Sequence, residues 1–163
     1  MRMDLNTLID NRKLKNNEIR ILVNESERIC LDFFKKSYIY SDKEAIEELG
    51  VESDLIEQLI EDYVIQIINC IVTFEEHLSI LKKEKHESKE LNYTSFRELA
   101  HKNLGVARNL RIKDSEEILN KLLKKDDLEY LENLLQVLKA CVVKLNPTKS
   151  YDTMQLIKLK KSI

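Results

Sequence analysis

The chain has 163 residues, with 27 Lys and Arg against 29 Asp and Glu, and its formal net charge of −2 is spread over interspersed signs. That length supplies one domain's core, excludes a two-domain enzyme, and the charge gives no field that would gather a nucleic acid. Two Gly, one Pro, no Trp and 34% charged residues exclude collagen-like, disordered and turn-rich β architectures and leave a chain built of helices.

Residues 17–36 fit a helix with Ile19, Leu22, Val23, Ile29, Cys30, Phe33 and Phe34 on one side. Such a helix can cap a bundle or self-associate. Four further helix starts are marked by capping boxes, in which a side chain that accepts from an orphan N–H precedes a Glu by three residues. They are Ser41-Asp42-Lys43-Glu44, Ser95-Phe96-Arg97-Glu98, Asp114-Ser115-Glu116-Glu117 and Asp126-Asp127-Leu128-Glu129. The first opens a short helix over 42–49, which Gly50 ends in a left-handed conformation.

A long helix over 53–83 carries one apolar stripe through Ile56, Leu59, Ile60, Tyr63, Ile67, Cys70, Ile71, Phe74, Leu78 and Leu81. The charge run from Lys82 to Glu90 reads as a frayed end and a solvated loop. The next helix, 95–110, buries Phe96, Leu99, Val106 and Leu110, with Asn103 in the middle of the same face. Helices over 114–124 and 127–145 follow, burying Ile118, Leu119, Leu122 and Leu123, then Leu128, Leu131, Leu134, Leu135, Leu138, Cys141, Val142 and Leu145. Asn146-Pro147 stops the last of them. The chain thus divides into an N-terminal helical extension (1–41), a helical bundle (42–146) and a C-terminal tail (147–163) whose basic and apolar end suggests no function. Short connections between amphipathic helices imply an all-α, up-down antiparallel bundle.

Cys30, Cys70 and Cys141 are far apart in sequence and set among apolar residues, as reduced core thiols of a cytoplasmic protein would be. The opening residues hold no apolar stretch of signal-peptide length, and no uninterrupted apolar run approaches the roughly 20 residues that cross a bilayer, so no membrane insertion is expected.

Chemistry concentrates on the helix over 95–110. At about 100° per residue, the face opposite Leu99, Asn103 and Val106 carries Arg97, Glu98, His101, Leu104, Gly105 and Arg108. Gly105 is the only glycine away from a helix end; it costs roughly 1 kcal/mol relative to Ala and clears space one turn beyond His101 for another backbone. Arg97 and Arg108 can hold an anion. The plain alternative is a surface histidine beside a tolerated glycine or a close helix contact.

The segment from Arg97 to Leu110 resembles the signature helix of histidine-containing phosphotransfer (Hpt) domains, roughly R-x-x-A-H-x-L-K-G-[SA]-[SA]-x-x-L. Matches fall at Arg97, Ala100, His101, Gly105, Ala107 and Leu110. The order of helices over about 43–145 is also similar to that family's. The resemblance implies a four-helix bundle of Hpt type and a phosphoryl carrier rather than an enzyme. His101 would accept the group from a receiver-domain aspartate and pass it to another receiver, with Arg97, Lys102, Leu104, Gly105 and Arg108 forming the phosphoryl and docking surface. Implied partners are a response-regulator receiver or a hybrid histidine kinase. No cofactor is implied for this chain, since Mg²⁺ would come with the receiver. The signature departs at Asn103-Leu104, where the family has Leu-Lys. This turns an amide toward the core, where it needs a partner, and removes a cation that Lys102 or Arg108 would have to replace.

Two other readings use the same residues: a module that docks a receiver or kinase without accepting phosphate, and a structural oligomer joined through residues 17–36. His77 reads as a packed histidine and His86 as a solvated one. No spacing supports a metal site, a phosphate-binding glycine loop or a nucleophile elbow.

Overall fold

A computed structural model describes residues 4–163 as seven helices, with no strand among them. These are α1 (Leu5–Phe34), α2 (Lys43–Leu49), α3 (Ser53–His86), α4 (Thr94–Asn109), α5 (Lys113–Lys124), α6 (Leu128–Leu145) and α7 (Pro147–Lys161).

Helix α1 begins twelve residues earlier than its buried pattern suggests. Asp4 accepts from Thr7 N at 2.7 Å and caps it. Along its first turns the apolar side chains of Leu5, Leu8, Ile9 and Leu14 are all exposed. Burial starts further along, at Ile19, Leu22, Val23, Ser26, Ile29, Cys30 and Phe33, where α1 lies on α6 and α7. The residues expected to cap or self-associate therefore face the chain's own helices.

Only some starts use their capping boxes. Asp127, rather than Asp126, caps α6 by accepting from Tyr130 N at 3.1 Å. Helix α4 begins at Thr94, ahead of the Ser95 box, with Asn92 Oδ1 accepting from Thr94 N. Helix α5 begins at Lys113, whose N–H is taken by the Tyr38 hydroxyl from the α1–α2 linker, while Asp114 accepts from Ser115 N. At α2 the Ser41 hydroxyl reaches Lys43 N at 3.4 Å, and Gly50 ends the helix at φ 64°. At α5 a tertiary partner, Tyr38, thus takes the place of the local box, while at α4 another local side chain, Asn92, does so.

Helix α3 runs through His86, so the start of the expected loop, Lys82–His86, is helical. By length and composition it is the one helix among the described residues apolar enough to cross a membrane. Its stripe packs instead against α4, α6 and α7, with Phe74 meeting Phe96 of α4 edge-on at 5.0 Å. Gln66, Asn69, Glu75 and Glu76 interrupt its other faces.

The expected tail is a helix. Asn146 ends α6 in extended conformation, and its side chain then accepts from Lys149 N at 3.1 Å to start α7. Pro147 stops one helix and opens the next at a position where its missing N–H costs nothing. Helix α7 packs on α3, α6 and α1, with buried Ser150 donating to Val142 O.

Helices α3, α4, α5 and α6 touch one another in a closed ring, α3 to α4, α4 to α5, α5 to α6 and α6 to α3. Helices α1 and α7 cover the outer side of α3 and α6. The core, centred on α3 and α6, includes Tyr63, Ile67, Phe74, Phe96, Leu119, Leu131 and Leu138. Each such side chain contributes about 1.5–3 kcal/mol by leaving water.

Candidate functional site

Helix α4 is held from two sides. Toward α3 it presents Phe96 and Asn103, and toward α5 it makes the most extensive helix pairing in the fold. Asn103 is fully buried. Its Oδ1 accepts from Gln66 Nε2 of α3 at 2.8 Å, its Nδ2 donates to Leu99 O at 2.8 Å, and the Cys70 sulfur lies 3.5 Å from that nitrogen. The amide that the sequence turns toward the core thus finds partners on both helices, and it fixes α4 against α3 two residues beyond the histidine.

His101 is exposed near the middle of α4, and among the described residues it has no hydrogen bond or ion pair. Gly105, about 6 Å further along the axis, is also exposed. A Cβ added there would meet nothing within 4 Å, so no close helix contact requires the glycine.

Leu104 does not belong to this surface. It is 1% exposed, contrary to its expected place beside His101. The reason is α5. Arg108, close to Leu104 on the helical wheel, pairs through Nε with Glu116 of α5 at 3.3 Å, which places α5 along that edge. A helix covered only by α3 would bury one arc; covered by α3 and α5 it buries Phe96, Ala100, Asn103, Leu104 and Ala107 together. His101 consequently borders the covered arc, and the open face beside it consists of Glu98, His101, Lys102, Gly105 and Asn109.

The expected cations separate into different roles. Lys102 is exposed and has no ion pair among the described residues. Arg108 is exposed but engaged by Glu116. Arg97 is half-buried, its guanidinium 4.8 Å above the Tyr93 ring, with a buried Nε that has no hydrogen-bond partner. Tyr93 in turn donates to Asp126 O at 2.7 Å, so Arg97 is pinned to the loop before α4. Only Lys102 is an uncommitted cation on the open face.

No family model matches the sequence, no curated protein shows significant similarity to it, and no solved structure shows significant similarity to the fold.

The α1–α2 linker holds the far end of α4, which spacing gave no means to see. Tyr40 donates to Leu110 O at 2.6 Å, and burial pushes its phenol up to about 12, so it remains a donor throughout the neutral range. Tyr38 donates to Arg111 O at 3.4 Å, and Arg111 takes the left-handed turn (φ 59°) between α4 and α5 while pairing with Glu48. His77 is half-buried on α3, and His86 is exposed at its end. Among the described residues no group of three or more His, Cys, Asp and Glu is placed to hold a metal ion.

Proposed function

We propose that the protein is a phosphorelay histidine phosphotransfer protein of the cytoplasm, with His101 as its phosphoacceptor. One observation carries the reading: the histidine at the signature position is solvent-exposed, unbonded, and mounted on a helix clamped to its neighbours. The ring of α3, α4, α5 and α6 suits the four-helix bundle that the resemblance implies. Gly105 leaves open space one turn from the imidazole, where a receiver domain would approach.

In this mechanism a neutral ring nitrogen of His101 attacks the phosphorus of a receiver's aspartyl phosphate in line. The N–P bond forms as the bond to the aspartate oxygen breaks, and the carboxylate leaves. The reverse step delivers the group to a second receiver. Charge on the transferring group would be neutralised by the Mg²⁺ that comes with the receiver, not by a metal held on this chain. This chain contributes the rigidly held nucleophile, and Lys102 is the cation able to meet a phosphoryl oxygen.

With Leu104 where the resemblance expects a lysine and Arg108 engaged by Glu116, Lys102 alone is left to meet the phosphoryl group, which favours a second reading, in which the same face docks a receiver or kinase and accepts no phosphate. Incubation of the purified chain with phosphorylated receiver domains separates the two. Acid-labile, alkali-stable label that vanishes in His101→Ala supports the phosphoacceptor. Binding without label, unchanged in His101→Ala, transfers the conclusion to docking alone. Neither label nor binding with any receiver overturns both.

A further inference from the structure

Cys30 of α1 and Cys141 of α6, 111 residues apart in sequence, place their sulfurs 3.9 Å from each other in the core. Both residues are 2% exposed and both are free thiols. A cavity of about 280 Å³ reaches this seam from beneath the α1–α2 linker, lined by Val23, Glu27, Tyr38, Asp114, Cys141 and Lys144 among others. It has room for a molecule the size of hydrogen peroxide. Buried thiols in purely apolar surroundings are inert, and this pair is not so placed.

We infer that Cys30 and Cys141 form a reversible oxidation site, closing to a disulfide that ties α1 to α6 when a small peroxide enters the adjoining cavity. This inference is independent of any role for His101. The two sulfurs must approach from 3.9 Å to a bond length of about 2.05 Å, a movement within reach of side-chain rotation at two facing cysteines.

The hydrogen bond between the two sulfurs holds the Cys30 thiol below its ordinary pKa, with Lys144 adding to the effect. The same hydrogen bond, with burial and the Asp114 carboxylate, pushes Cys141 well up. The cavity opens on Cys141, with the Cys30 sulfur 3.9 Å from it, so a peroxide admitted there meets one thiol while the second is in reach to resolve the product. One of the two sulfurs attacks one peroxide oxygen, the O–O bond breaks, and the departing hydroxide takes up the proton that this thiol released. The resulting sulfenic acid is attacked by the other sulfur, which loses its proton as hydroxide leaves, again forming water. Two thiols and one peroxide yield one disulfide and two waters.

Cys70 is the internal control, since it lies beside Asn103 rather than at the seam. The test treats the reduced, folded full-length chain with hydrogen peroxide, blocks remaining thiols by alkylation, and maps the peptides. The expected product is a monomer lighter by two hydrogens, with Cys30 linked to Cys141, Cys70 alkylated, and full reversal by dithiothreitol. Because the link closes most of the chain into a loop, its melting temperature should rise by roughly 10 °C. Neither Cys30→Ser nor Cys141→Ser should form the link, dimedone should trap a sulfenic acid on the remaining thiol of the pair, and Cys70→Ser should close normally. Links through Cys70, disulfide-joined dimers, or native thiols that peroxide leaves untouched would each overturn the site. The wild-type peptide map decides the matter even where a serine variant fails to fold.

Discussion

Replacing Asn103 by Ala removes the clamp between α4 and α3, and the structure sets the scale of the loss. The half-buried Gln66 amide loses the oxygen it donates to at 2.8 Å, which costs about 1–2 kcal/mol because water can replace it only in part. Loss of the bond to Leu99 O costs less, since that carbonyl keeps its helical N–H. The space left by the amide adds about 1 kcal/mol, and the better helix propensity of Ala returns about half of that. The net expectation is a loss of about 2 kcal/mol, or roughly 4–8 °C in Tm for a chain of this size. Asn103→Leu should also destabilise, because it leaves the Gln66 donor facing an apolar group. Adding Gln66→Met to Asn103→Leu should recover at least half of that loss, since replacing both partners removes the unsatisfied donor. Urea unfolding followed by far-ultraviolet circular dichroism on the four proteins measures this. A loss below about 0.5 kcal/mol in Asn103→Ala, or a double variant no more stable than Asn103→Leu alone, would refute the clamp.

Gly105→Ala should raise stability by about 0.5–1 kcal/mol, because its Cβ meets nothing and the helix gains propensity; thermal unfolding checks it. Gly105→Arg should leave the melting temperature near that of wild type yet cut receiver-dependent labelling of His101 more than about tenfold, by occupying the space a partner needs. In single-turnover labelling, Lys102→Ala should slow transfer several-fold while Arg108→Ala changes it less, since Glu116 already engages Arg108. Burial raises the pKa of Asp114 above its unfolded value, against hydrogen bonds from Ser115 N and Cys141 that lower it. Such a carboxyl favours the folded state fully below about pH 3.9, its unfolded pKa, and that contribution is lost as pH rises through the folded value. Asp114→Asn should therefore gain stability relative to wild type between acid and neutral pH. Urea midpoints across that range test the sign, and a variant that loses ground as pH rises would contradict it.

Periodicity located the interior of every helix from α3 to α6, while a capping box and Gly50 bounded α2. The stripe from Ile56 to Leu81 is legible because each apolar residue recurs at the spacing that burial demands, and all ten positions are buried or half-buried. The same logic turned Asn103 inward correctly. Helix starts were less legible: a capping box states a local preference, and at α4 and α5 the Asn92 amide and the Tyr38 hydroxyl took over the role. Helix α7 escaped notice because a proline that ends one helix can begin another, and its weakly amphipathic sequence gives no stripe.

What the sequence determined by itself was the all-helical class, the apolar stripes and the position of a histidine one turn before an interior glycine. These follow from residue spacing along one helix, which local geometry fixes. Only the tertiary structure decided that Leu104 is covered, that Arg108 is taken by Glu116, that Gln66 answers Asn103, and that Cys30 meets Cys141. Each of these depends on which second helix lies alongside. That choice is made by the packing of the whole core, so no single segment carries it.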